Sequence, residues 1–105
     1  MKIIHFPNYT ILELERFSKS HTLIDFLSDN QDSCPHVIID IMHSSLDHHT
    51  IVEKLLPFHL NWEKRNKSFI LVSILGKESL KGLISLRSKE EAVDFFHMEE
   101  LTRTI

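Results

Sequence analysis

The feature that most constrains the fold of this chain is segment 36–74, in which two apolar runs flank a polar turn and an amphipathic stretch. The runs, 36–41 and 68–74, are bounded by polar residues and predict buried strands. The stretch that follows the turn and runs to about Asn66 has helical periodicity. Strand, helix and strand in this order predict a parallel βαβ unit. The turn, 42–50, then lies at the carboxyl edge of the sheet, where α/β proteins usually place their sites.

The rest of the chain extends this unit into one α/β domain, residues 1–105. Further strands are predicted at 2–6, 9–15 and 83–86, further helices at 20–29 and 89–102, and one helical turn between Gly76 and Gly82. This order predicts a mixed, mostly parallel sheet of four to five strands with about four helices. Right-handed crossovers should place the helices mainly on one side of the sheet.

The two longest predicted helices, the one after the turn and the one at 89–102, carry apolar faces, as does the short helix 20–29. Pro57 lies inside the first, and because proline lacks an N–H we expect a kink or a split near residue 56. The second should begin with a capping box from Ser88 to Glu91. The side chains that we expect to face the core are Ile51, Val52, Leu55, Leu56, Leu60 and Trp62 in the first helix and Ala92, Val93, Phe95, Phe96 and Leu101 in the second.

Composition excludes several classes of protein. A net charge of −3 argues against a nucleic-acid binder, for which a basic face is expected. With only Gly76 and Gly82 as glycines, the chain has no glycine-rich loop for a dinucleotide or a nucleoside triphosphate. No apolar run approaches the roughly 18 residues of a membrane helix, and the amino terminus does not read as a secretory signal. A single cysteine suits the cytoplasm, where we expect this protein.

Several short motifs resemble those of the STAS domain, named for sulfate transporters and anti-sigma factor antagonists. The strands Ile38–Ile41 and Phe69–Val72 and the helix that contains Glu91-Ala92-Val93 are similar to elements of that family. Small bacterial STAS-like proteins offer a nearer resemblance. The matching motifs are Leu55-Leu56-Pro57, Lys67-Ser68-Phe69-Ile70 and Met98-Glu99-Glu100.

The resemblance implies a non-enzymatic domain without a cofactor that binds another protein, an anti-sigma factor or a kinase-like regulator. In the family, the second serine of an Asp-Ser-Ser-Gly motif is phosphorylated, and Thr50 occupies the matching position. His48 stands where the family has Asp, and Ile51 where it has Gly. The residues that we expect to contact the partner are His43, Ser44, Ser45, Asp47, His48, His49, Thr50 and Ile51.

Each of these residues also has a simpler interpretation. Thr50 fits a plain capping box with Glu53, in which it only caps the helix. Asp40, at the end of its strand, is either a ligand-binding carboxylate or a cap for the adjacent loop. The start of the helix near His48 and Thr50 also suits an anion or a small ligand, and this is the alternative function.

Metal binding and catalysis are not predicted. His43, Asp47, His48 and His49 lack metal-ligand spacing, because adjacent histidines at a helix start diverge by about 100°. Cys34 has no evident activating partner, so we expect an unreactive thiol. Phe95 and Phe96 also diverge on their helix, so one of them is a candidate for exposure at a partner or homodimer contact.

Overall fold

The computed structural model describes residues 1–77 and 80–104, which contain five strands and three helices. In chain order these are β1 (Lys2–His5), β2 (Thr10–Glu13), α1 (Ser20–Asn30), β3 (Val37–Asp40), α2 (His48–Lys64), β4 (Phe69–Val72), β5 (Ile84–Leu86) and α3 (Lys89–Thr104). The helical turn expected between Gly76 and Gly82 falls partly on positions 78 and 79, outside the described residues. The described residues thus hold three helices rather than about four.

The five strands form one sheet in the order β1-β2-β3-β4-β5. β1 is antiparallel to β2, and each later pair of neighbours is parallel. The register aligns one isoleucine from each parallel strand across the sheet: Ile11, Ile38, Ile70 and Ile84. The α/β class and a mixed five-stranded sheet are therefore confirmed.

Of the three helices in the described residues, α1 and α2 share one face of the sheet, as expected of crossover helices, and α3 lies on the other face. α1 and α2 pack with alternate strand residues such as Leu12, Ile39 and Leu71. α3 packs on the opposite face through Ala92 and Phe96. β2, β3, β4 and β5 follow one another across the sheet in chain order. Because crossovers between parallel strands are right-handed, helices that connect strands in such an order lie on the same face. α3 follows the last strand and connects no pair, so this rule does not apply to it.

α2 is one continuous helix, so of the predicted kink or split near residue 56, the split is wrong. Pro57 is exposed, while Leu55 before it and Trp62 after it are fully buried. Packing on both sides of the proline offsets the lost backbone hydrogen bond, which costs about 3 kcal/mol in an isolated helix. The helix also begins at His48, earlier than predicted.

Two side chains that were predicted to be buried are exposed. Leu60 is 54% exposed and Leu101 is 65% exposed. Each lies five residues after a fully buried side chain, Leu55 and Phe96 respectively, and is therefore rotated by about 140° around the helix. The predicted burial of Trp62 and Phe96 is confirmed.

Candidate functional site

The turn between β3 and α2 begins at a buried carboxylate. Asp40 is 4% exposed, and its Oδ1 accepts the backbone N–H of Met42 at 2.9 Å. Of the two interpretations of Asp40, this hydrogen bond agrees with the one in which the carboxylate caps the adjacent loop. A backbone hydrogen bond from Ser44 to the carbonyl of Ile41 closes the first part of the turn.

The same turn is bonded to the loop between β2 and α1. The backbone N–H and the hydroxyl of Ser45 both donate to the carbonyl of Arg16, at 3.2 and 2.6 Å. Within the turn, the Ser44 hydroxyl accepts the N–H of Leu46. These contacts join the two loops at the carboxyl edge into one surface.

α2 is capped by Asp47 and not by Thr50, so the capping box predicted from Thr50 to Glu53 is wrong. Asp47 Oδ2 accepts the Thr50 N–H at 2.9 Å and the Thr50 hydroxyl at 2.7 Å. These hydrogen bonds hold the pKa of Asp47 below its usual value. Aspartate is as good an N-cap as threonine or better, and Thr50 takes the third helical position, three residues later. Its hydroxyl is exposed but bonded.

The three histidines of the turn have different environments. His48 is buried, and its Nδ1 accepts the backbone N–H of Ile74 at 3.3 Å, which joins the start of α2 to the segment after β4. His43 and His49 are exposed. Over residues 1–77 and 80–104, no three His, Cys, Asp or Glu side chains cluster as a metal site requires. The partner-binding candidate Ile51 also lies in the core, at 2% exposure.

Two exposed apolar side chains that the sequence reasoning missed flank the turn. Phe17 is 81% exposed and carries the Arg16 guanidinium 5.3 Å above its ring. Ile74 is 60% exposed, and its own backbone N–H donates the hydrogen bond to His48. Phe17 does have a sequence signal: it is an aromatic residue in the polar stretch Glu15-Arg16-Phe17-Ser18, and both positions at strand spacing from it, Glu15 and Lys19, are charged.

A second polar cluster, which was not predicted, lies at the opposite, amino edge of the parallel strands. Buried His36 accepts the Ser68 N–H on Nδ1 at 2.9 Å, and its Nε2 lies 3.1 Å from Glu100. Arg103 bonds to Glu100 at 2.8 Å and to the Ser68 hydroxyl at 3.0 Å. Ser68 also donates to Glu99. We call His36, Ser68, Glu99, Glu100 and Arg103 the amino-edge cluster.

Cys34 lies near this cluster in a protected position. It is 7% exposed, and burial raises the pKa of its thiol. Because the thiolate is the reactive form of cysteine, this environment suits a structural residue.

Comparisons with known proteins add no assignment. No family model matches the chain, and no curated protein is significantly similar to it in sequence. In the described part of the chain, no helix has both the length and the apolar character needed to cross a membrane.

Proposed function

We propose that this chain is a non-enzymatic STAS-like domain that binds another protein at the carboxyl edge of its sheet. The contact area, here called the carboxyl-edge surface, consists of Phe17, His43, Ser45, Asp47, His49, Thr50 and Ile74. The exposure of Phe17 is the observation that carries the proposal. An aromatic ring that is 81% exposed beside a polar rim is typical of the anchor of a protein interface.

The order of the surrounding loops supports this proposal. Ser45 is bonded to Arg16, next to Phe17, and His48 is bonded to Ile74. Both apolar side chains are therefore on backbone that is fixed to the turn. A surface that is ordered before binding loses less conformational entropy when a partner docks.

The resemblance also suggests control of this contact by phosphorylation of Thr50. The Thr50 hydroxyl is exposed and lies 2.7 Å from Asp47 Oδ2. A phosphate brings a charge of about −1.5 to −2 next to that carboxylate. Repulsion would release Asp47 from the helix cap and alter the turn that it terminates. The partner, by resemblance an anti-sigma factor or a kinase-like regulator, would then meet a changed surface.

The alternative function, anion binding at the start of α2, has less support. The Asp47 carboxylate already accepts the N–H of Thr50, and the N–H of Ile51 bonds to the Asp47 carbonyl. A carboxylate at the helix start repels an anion that would compete for the same groups.

The test of partner binding is affinity capture from the native cell extract with quantitative mass spectrometry. Wild-type protein, Phe17→Ser and Leu60→Ser are immobilised in parallel. Leu60 is the matched control, because it is 54% exposed but lies 12 residues beyond the first residue of α2. We expect a captured protein that is lost with Phe17→Ser and retained with Leu60→Ser. Identical captured sets for wild type and Phe17→Ser would refute the proposed surface.

Phosphorylation is tested by mapping phosphate on the protein purified from its native cell. We expect modification at Thr50, and we expect Thr50→Asp to change the affinity for the captured partner more than Thr50→Val does. If phosphate is found only at other residues and Thr50→Asp binds the partner as wild type does, the proposed phosphorylation control is refuted. The proposed carboxyl-edge surface would not be affected by that result.

A further inference from the structure

The two faces of the sheet are covered unequally. α1 and α2 cover one face, whereas α3 alone lies on the other. Five strands at about 4.8 Å spacing span about 19 Å, while a helix with its side chains is about 10–12 Å wide. α3 therefore leaves a groove on each of its two sides.

The groove over β5 is apolar and open. Its volume is about 590 Å³, within the range of specific binding pockets. Met98, at 65% exposure, is the most exposed apolar side chain in its lining. The apolar lining comprises Leu80, Leu83, Ile84 and Leu86 from the β5 side and Phe95 and Met98 from α3. β5 is an edge strand, and an edge with apolar surface beside it favours association with another chain.

The groove over β1 and β2 is smaller, about 480 Å³, and several of its lining side chains contact partners within the chain. The ring of Tyr9 stacks on Phe6 at 4.7 Å and lies 5.0 Å from the ring of Phe96. Lys89 and Glu13, which line the same groove, form an ion pair. This leaves the groove over β5 as the stronger candidate for an intermolecular contact.

The α3 wall of the β5 groove is a single helical stripe with acidic residues. Glu91, Asp94, Phe95 and Met98 follow the spacing i, i+3, i+4, i+7 and so share one side of the helix. Lys77 lines the β5 side of the groove. The groove therefore carries opposite charges on its two walls.

We propose that this groove is occupied by the same groove of a second copy of the chain, in a homodimer with a two-fold axis parallel to α3. A two-fold interface requires a self-complementary surface. An axis along the groove places the α3 wall of each copy against the β5 wall of the other. Met98 of each copy then faces the β5 wall of the other, and the acidic α3 wall of each copy faces the wall of the other that carries Lys77. An axis across the groove would instead oppose the acidic α3 wall to itself.

Sedimentation equilibrium from 1 to 300 µM tests the dimer. We expect a mass of twice 12.4 kDa at the upper concentrations and at least a tenfold higher dimer dissociation constant for Met98→Glu. Leu60→Glu is the control, because Leu60 is an exposed leucine on α2, a helix of the opposite face, and should leave the dimer unchanged. Wild-type protein that remains monomeric at 300 µM, or Met98→Glu that dimerises like wild type, would overturn the proposal.

Charge reversal tests the orientation of the two copies. We expect Asp94→Lys and Lys77→Glu each to weaken the dimer, and the double variant to recover most of the wild-type affinity because the ion pair is restored with reversed charges. Far-UV circular dichroism checks that each variant is folded. Single variants that weaken the dimer without recovery in the double variant would contradict the parallel axis.

Discussion

The two edges of the sheet use polar side chains in different ways. At the carboxyl edge, most side-chain hydrogen bonds join residues two or three positions apart, such as Asp40 with Met42 and Asp47 with Thr50. At the amino edge, His36 and Arg103 each reach Ser68 from more than 30 positions away. The local bonds shape a loop, whereas the distant ones hold β3, β4 and α3 together. The comparison suggests that stability depends on the amino edge, while the carboxyl edge remains available for binding.

Hydrogen bonding defines the protonation of His36. Its Nδ1 accepts the Ser68 N–H and therefore carries no proton, which places the proton of the neutral ring on Nε2, towards Glu100. Burial lowers the pKa of His36, an effect that the nearby carboxylate of Glu100 opposes and the cations Arg103 and Lys67 reinforce. The amino-edge cluster thus depends on a neutral histidine.

The largest expected effect is that of His36→Ala. Removing the ring leaves the buried Ser68 N–H without its acceptor, at a cost of about 1–3 kcal/mol, and opens space beside Phe96, whose ring centroid is 4.9 Å away. We expect the free energy of unfolding to fall by about 2–4 kcal/mol, measured by urea denaturation.

His36→Asn is the matched control for that variant. The Asn carbonyl oxygen can replace Nδ1 as the acceptor for Ser68, so we expect a smaller loss than with alanine. Equal losses for the two variants would mean that the Ser68 hydrogen bond contributes little to stability. A loss below about 0.5 kcal/mol for His36→Ala would contradict the inference that stability depends on the amino edge.

A smaller effect is expected at the carboxyl edge for Asp47→Ala, which removes the cap of α2. We expect the unfolding midpoint to fall by about 3–5 °C, as is typical for the loss of one helix cap in a domain of this size. Asp47→Ser retains a capping oxygen and should recover most of the loss. A fall in the unfolding midpoint as large as the one that His36→Ala produces in the same measurement would show that the turn also supports the fold.

The backbone architecture was largely predictable because its signals are periodic. Successive side chains of β3 and β4 point to opposite faces of the sheet, and all of them are buried. Such continuous apolar runs are typical of parallel strands that are covered on both faces. The position of α3 was not predictable from these rules, because nothing in crossover handedness governs a helix after the last strand. Leu60 and Leu101 were misplaced for a related reason: apolar character alone does not determine where on a helix a side chain points.

The candidate site was predictable only as a location. The βαβ pattern correctly identified the turn, but Asp47 and not Thr50 caps the helix, since two good N-cap residues lie three positions apart. The burial of His48 depends on the N–H of Ile74, 26 residues later, and no local pattern reveals such a contact. The exposure of Phe17 likewise depends on the whole fold.

The amino edge should also make stability depend on pH, because it contains the buried His36. Because the folded state lowers the pKa of His36, the unfolded chain takes up a proton at a higher pH than the folded one. Stability should therefore be constant above about pH 7, fall as the pH drops below the usual histidine value of 6.5, and level off below the folded-state pKa. Urea denaturation from pH 5 to 8 measures this. The fall should be shallower in His36→Asn, and an identical profile in wild type and variant would assign the pH dependence to other histidines.

The smallest expected effect on stability is that of Phe17→Ser. The ring is 81% exposed, and its contact with the Arg16 guanidinium is worth about 0.5 kcal/mol at such a site. We therefore expect the free energy of unfolding to change by no more than about 0.5 kcal/mol while partner capture is lost. Loss of capture with unchanged stability separates binding from folding, which loss of capture alone does not. A destabilisation above about 1 kcal/mol would instead mean that Phe17 holds the loop before α1 in place, and the carboxyl edge would then resemble the amino edge in serving the fold.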